Sequence, residues 1–361
     1  MKTHETTPVI LLNLNLPPEE RVATRNIMLS CLIPGPEKHS DLDSFLWLLV
    51  EELRLLQDGI PDTPHQYEPN FLLKAHCIHC AGDGPAIAEM MGFKNPGNAR
   101  AACPRCLQQG TQRGGQGTYY FPQTSAEIDH PTLRENCRPI IAYLDTLVPQ
   151  VRQDSARTAI GITRTSILLR VSSLNFPLSF PPDMMHQVLQ NLVGQLHKIW
   201  GGHRITQSKK AAREEAQGRQ DLPCVLNATQ WKQLAELQEN SRATIPYLLG
   251  TGPRRIDTHW KGFKAMEWRE WLCRDGIALL ASVVDIETFR PYLLHFALLR
   301  RIYLTSTKFR ITRADVKQLD LDCKEFVRTW QELYYQDEPS LLHNCRINLH
   351  ALLHLGLRLV S

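Results

Sequence analysis

The sequence has no apolar leader. Residues Met1 to Thr7 are polar, whereas a secretory signal needs an apolar stretch behind a charged start. The expectation is a reduced, intracellular setting, where disulfide frameworks are rare. No apolar run approaches the ~20 residues of a membrane-spanning helix, so no membrane partner is expected. Internal repeats, collagen-like tracts and Gln/Asn-rich tracts are missing, which removes the low-complexity classes. Charge of one sign is also scarce. The formal net charge is +4, which permits nucleic-acid binding without demanding it.

What remains is an ordinary globular composition. The chain has 361 residues, 43% hydrophobic and 22% charged, enough for one or two domains with a sizeable core. Ten cysteines are present. In a reduced setting they are thiols or metal ligands, not a disulfide framework.

Along the chain, Pro8 to Leu14 and Asn26 to Ile33 read as strands, the second closed by Pro34-Gly35-Pro36. Leu42, Phe45, Leu46, Leu49 and Leu53 lie on one helical face, with Ser40 or Asp41 as the cap. Phe71 to Ala81 is short, apolar and free of Gly and Pro, which predicts a buried strand. Gly82-Asp83-Gly84-Pro85 breaks it, and Pro85 suits the first turn of a helix reaching Met91. Residues 94–124 are loop-like. Helices are expected near 131–151, 183–200, 206–218, 228–240, 264–282, 289–304, 312–335 and 346–359. The fold class is therefore α/β in the first third and α thereafter.

Four constellations carry chemistry. Asp83 ends the expected strand, where open α/β sheets place their active sites; it is equally placed to cap the next helix. Cys103-x-x-Cys106 has metal-knuckle spacing. Cys345, His350 and His354 are its candidate partners for zinc, since histidines four apart share a helix face. A reduced CxxC with core histidines is the plainer reading. Cys77 and Cys80 share the spacing, but on a strand residues three apart point to opposite faces, so no shared metal is expected there. Phe180-Pro181-Pro182-Asp183-Met184-Met185-His186 places Asp183 and His186 one turn apart, as a helix cap or as a polar pair beside an active site. Glu267 lies among Trp268, Trp271 and Leu272, a costly setting for a carboxylate unless it is paired or binds a cation. Arg254, Arg255, Lys261 and Lys264 precede it and are candidate phosphate contacts.

Together these segments resemble the transposase of CACTA-type (En/Spm-like) DNA transposons in the form common in fungal genomes. The matching stretches are Leu12 to Arg21, Ile33 to Pro36, Gly82 to Ala86, Phe180 to His186, Ser241 to Pro246, Gly262 to Trp268 and Cys345 to His354. The resemblance implies a partial ribonuclease-H-like core at 8–124, an α-helical insertion at 125–255, and a helical part at 256–361 that returns the last acid to the core. It implies Asp83 and Glu267 as ligands of Mg2+ or Mn2+, and Asp183 with His186 as a signature pair inside the insertion. It further implies transposon-end duplex DNA as partner, a nuclear location, and DNA cleavage and joining by paired metals; a homo-oligomer is compatible with it. The family's first catalytic Asp should precede Pro8. Met1 to Thr7 contain none, and Asp41 and Asp43 come too late in the topology to replace it. The sequence thus reads as an incomplete or inactive copy, with a non-catalytic DNA-binding or interaction protein as the rival reading.

Overall fold

The computed structural model describes residues 6–35, 39, 41–61, 71–95, 99–113, 117–134, 136–203, 222–246, 252 and 254–356. The helix expected at 206–218 lies outside the described residues, as does Ser40. The first two expected strands form an antiparallel hairpin, β1 (Thr6–Leu12) and β2 (Ile27–Pro34), with a register shift between Val9 and Ile10. The helix Leu42–Asp58 follows, its first turn closed by the Asp41 side chain accepting from Asp43 N. Its apolar face buries Leu46, Leu49, Val50 and Leu53 beside Ile33.

The strand expected over 71–81 does not form. Only β4 (Leu72–Leu73) pairs, with β3 (Ile60–Pro61), and Phe71, Leu72, Leu73 and Ile78 are all exposed. An apolar run becomes a buried strand only where neighbours on both sides accept its N–H and C=O groups. Here the backbone bonds singly instead, Ala75 N to Leu56 O and Cys80 N to Ser179 O. Among the described residues every sheet has two strands; the third pairs β5 (Thr111–Gln112) with β6 (Tyr119–Tyr120).

The helical remainder follows its periodicity closely. The first expected helix splits into Cys137–Asp145 and Gln150–Ala159 at Pro149. A long helix runs from Met185 to Trp200, its first nine residues π-helical. Ala228–Ser241, the run from Ala265 to Ala281, Ile286–Ser306 and Arg313–Trp330 match their predicted spans within a few residues. The last helix is shorter than expected, Ile347–Ala351 with a 3-10 turn to His354.

Two large cores result. One joins the β1–β2 hairpin and the 42–58 helix to Ile87, Met91, Ile141, Leu168, Phe176 and Phe180. The other is mainly helical and centres on Trp200, Trp271, Phe296, Phe326, Trp330 and Tyr334. Residues 137–180 therefore pack with the N-terminal core, not with the helices that follow.

Two histidines are sealed in the helical core. His197 lies against Trp231, Trp260, Trp268 and His203; burial, with the neighbouring His203 and Lys198 charges, lowers it to about 3. His295 stacks on Phe326, bonds Phe326 O, and burial lowers it to about 3 as well. An unfolded chain binds these protons near pH 6.5, and the folded one does not. The unfolded state then holds more protons below pH 6.5, so stability is complete above that value and falls as pH drops towards 3. Denaturant unfolding at pH 5 against pH 7.5 should show a loss of about 2 kcal/mol per histidine. Stability independent of pH across this window would contradict the sealed, neutral state of both rings.

Candidate metal centre

The Cys103-Pro104-Arg105-Cys106 turn sits between the two cores. Its backbone donates back to both sulfurs, Arg105 N to Cys103 Sγ and Gln108 N to Cys106 Sγ, each 3.4 Å. Such N–H···S bonds stabilise thiolate over thiol. The turn is fixed from outside as well. Arg134 donates to Cys103 O and Ile160 O, and Arg105 donates to Phe180 O at 2.8 Å. Gly161 approaches so closely that a side chain there would meet Ala101 O at 1.8 Å, and its φ is +76°; only glycine fits.

The second half comes from the far end of the chain. His350 and His354 point the same way from the last helical turns. Cys106 Sγ lies 3.1 Å from His350 Nε2, Cys103 Sγ 3.4 Å from His354 Nε2, and the two Nε2 atoms are 3.2 Å apart. All four donor atoms fall within 4.8 Å of one another, and all four residues are buried. A tetrahedral zinc ion with ordinary Zn–S and Zn–N bonds would separate its ligands by about 3.3–3.8 Å. The arrangement therefore fits a closed Cys2His2 site.

The electrostatics agree. Burial alone would raise the Cys103 thiol, but the hydrogen bond from Cys106 and the adjacent His354 and His350 hold it well below the usual cysteine range. Cys106 is pushed up, first by its bond to Cys103 and then by burial. One proton is thus shared by the pair, and a bound cation would replace it. Burial lowers His354, which favours the neutral imidazole that ligates metal. Phe121 stacks on His350 at 5.7 Å and closes the site. Four protein ligands leave no open position, so the role is structural.

Cys345 is not part of this group. It is fully buried, burial raises its thiol, and its carbonyl accepts from Phe121 N. It therefore supports the site through backbone, correcting its place among the candidate ligands. Cys77 and Cys80 also depart from expectation. No strand forms there to set their faces, and Cys77 Sγ lies 3.7 Å from His79 O.

The acids are dispersed among other bonds. Asp83 caps the helix Gly84–Met91, accepting from Ala86 N at 2.8 Å. Asp183 accepts from Met185 N and His186 N and pairs with His186 Nδ1. Both line one hollow of about 390 Å3 with Gly82, Pro181, Pro182 and Met185. Glu267 is not among its lining residues. It caps its own helix through Lys264 N, and Arg254 grips both its oxygens at 2.7 and 2.8 Å. That grip holds the Glu267 carboxyl below the usual range, against the opposing effect of burial. The helix carrying it packs against the helix that starts at Met185. Among the described residues the Cys/His set is the one group of three or more metal-type side chains close enough to share an ion. Arg255 is likewise spoken for, by Asp257 and Glu239. Lys261 lies over the Trp260 ring at 5.7 Å.

Residues 1–121 match the family model described as "Transposase family tnp2". That is the first third of the chain, and it contains Asp83, Cys103 and Cys106. No curated protein matches the chain. No described helix is long and apolar enough to cross a membrane.

The centre makes a direct prediction. Purified protein should carry about one zinc per chain, and a strong chelator should lower its stability by several kcal/mol, within the range known for structural zinc. Cys103→Ser and His354→Ala should each lose the metal, while Cys345→Ser should keep it. Metal-free protein with unchanged stability in chelator would refute the assignment.

Proposed function

We propose that the chain is a transposon-derived transposase of the CACTA type (En/Spm-like) that acts on double-stranded DNA at transposon ends, in the nucleus. The observation that carries this reading is the tnp2 match over residues 1–121, taken with the resemblance of later segments up to His354. The proposed fold is a partial ribonuclease-H-like core at 8–124, a helical insertion at 125–255, and a return to the core through Glu267. The Cys2His2 centre supports it by tying residues 103–106 of the matched region to the final helix.

The acids are the weaker half of the catalytic reading. Asp83 and Glu267 would be the Mg2+ or Mn2+ ligands of a transposase that cuts and joins strands. As arranged, both Glu267 oxygens serve Arg254, and Asp83 serves its helix. The set does not fit a two-metal site in this state, so no catalytic step is derived through it. This favours the second reading, a DNA-binding protein derived from a transposase and lacking strand-cleavage activity.

The basic segment should then act electrostatically. Arg254 and Arg255 are neutralised within the protein, which leaves Lys261 and Lys264 as the better phosphate contacts. Titrating end-containing duplex across salt should give a linear log–log slope. Lys261→Ala with Lys264→Ala should flatten it by roughly 0.9 per lost contact. No cleavage is expected with magnesium or manganese. Cleavage that Glu267→Gln abolishes would restore the catalytic reading, and an unchanged slope would turn this face away from DNA.

A further inference from the structure

Two helices, one from each large core, present leucines to solvent. Helix Leu42–Asp58 buries Leu46, Leu49, Val50 and Leu53 in the N-terminal core. On its outer side Leu48 and Leu55, two turns apart, are 63% and 60% exposed. Helix Ile286–Ser306 buries Phe289, Phe296, Leu299 and Ile302 in the helical core. Its outer side forms a shallow groove of about 520 Å3 lined by Leu294, Ala297, Leu298, Arg301 and Leu304, with Leu294 62% exposed. A scattered surface leucine needs no explanation, but a leucine stripe along a helix marks a contact surface.

The two faces carry opposite charge. Helix 42–58 has Asp43, Glu51, Glu52 and Asp58 against Arg54. Helix 286–306 has Arg290, Arg300 and Arg301 against Glu287. Part of this charge is met within the chain: Arg164 pairs with Asp43, Arg170 with Glu51, and Asp322 with Arg301. Glu52 and Asp58 are exposed about one turn after Leu48 and Leu55, and Arg290 and Arg300 are exposed about one turn before Leu294 and Leu304. One stripe is therefore leucine edged with acid, the other leucine edged with arginine.

We propose that copies of this chain associate through these two faces, helix 42–58 of one copy lying in the groove of helix 286–306 of the next. Within one chain the faces belong to different cores and both stay exposed, so neither covers the other. Two acidic faces, or two basic ones, would bring like charges together, which disfavours either face pairing with its own copy. Nucleic acid would satisfy Arg290 and Arg300 but set phosphates against Leu294 and Leu304, and Glu52 and Asp58 would repel it. Unlike faces bury the leucines against one another and keep the charges at the rim, where they select the partner more than they add affinity. Because the two faces differ, the contact is heterologous, and every copy offers one of each.

The test uses the full, zinc-loaded chain without DNA, so it stands whether or not the protein binds DNA or cuts it. Sedimentation at rising protein concentration should show reversible self-association, weaker at high salt because rim charges are screened. Leu48→Lys and Leu294→Glu each put a good helix former at an exposed position and set like charge against the opposing face. Each variant alone should associate about tenfold more weakly or worse, the loss of one leucine anchor. Mixed in equal amounts they should regain dimers, because the mixture still holds one intact pair of unlike faces. A face that paired with its own copy would be sensitive to one variant only. Hydroxyl-radical footprinting of the wild-type chain should protect Leu48 and Leu294 as concentration rises, a readout that needs no variant. A chain that stays monomeric at every concentration overturns the proposal. So does association that only one variant weakens, that mixing does not restore, or whose footprint lies elsewhere.

Discussion

The meeting of Cys103 and Cys106 with His350 and His354 is the contact on which the arrangement of the chain depends. The pairs are 251 and 244 residues apart in sequence. Closing so long a loop costs only slightly more entropy than closing a short one, because the cost grows with the logarithm of length. A single strong centre can offset it. Without a cation, two buried thiols and the two buried Nε2 atoms have one another as partners at that point. Burying thiols and imidazoles together without full partner sets is destabilising, and a bound cation would use all four donor atoms at once. The donor set is thus more readily understood as a ligand set than as packing.

The centre also bears on the acidic hollow. Arg105 sits inside the CxxC turn and reaches Phe180 O, three residues before Asp183. Burial lowers this guanidinium, while the Cys103 charge acts the other way. A buried arginine bonded to a carbonyl is stable only while its surroundings hold that carbonyl in place. The geometry of Pro181, Pro182 and Asp183 is therefore coupled to the metal knuckle through one side chain, and Asp83 meets Asp183 across the same hollow.

Sequence periodicity captured the helices because each buries one stripe against a core, and that stripe is local information. Phe326 and Trp330, or Leu49 and Leu53, fall four apart for this reason. It failed at 71–81 because strand formation is decided by partners. Phe71, Leu72 and Leu73 have the composition of a central strand, yet only two residues find a ladder. The metal ligands were legible from spacing alone, CxxC and two histidines a turn apart. Which third and fourth groups completed the set was not, because Cys345 lies close by in sequence and only the folded arrangement leaves it outside the clustered donors. Glu267 was legible as a carboxylate in need of a partner; that Arg254 supplies it could not be read, since Arg254 lies thirteen positions earlier, beyond the short helix Ile256–His259 and a 3-10 turn.

The two CxxC pairs show how little a spacing decides by itself. At 103–106 the backbone N–H groups of Arg105 and Gln108 point at the sulfurs, all four residues are buried, and two imidazoles arrive from another helix. Those conditions favour two thiolates around a divalent ion. At 77–80 the backbone is held by contacts to Ser173 and Ser179, both cysteines are partly exposed, and Cys77 Sγ lies 3.7 Å from His79 O. No histidine or acid joins that pair in a metal-type group among the described residues. The same four-residue motif thus joins a ligand set or stays outside one according to what its neighbours supply, and the neighbours are set by tertiary contacts that lie far along the chain.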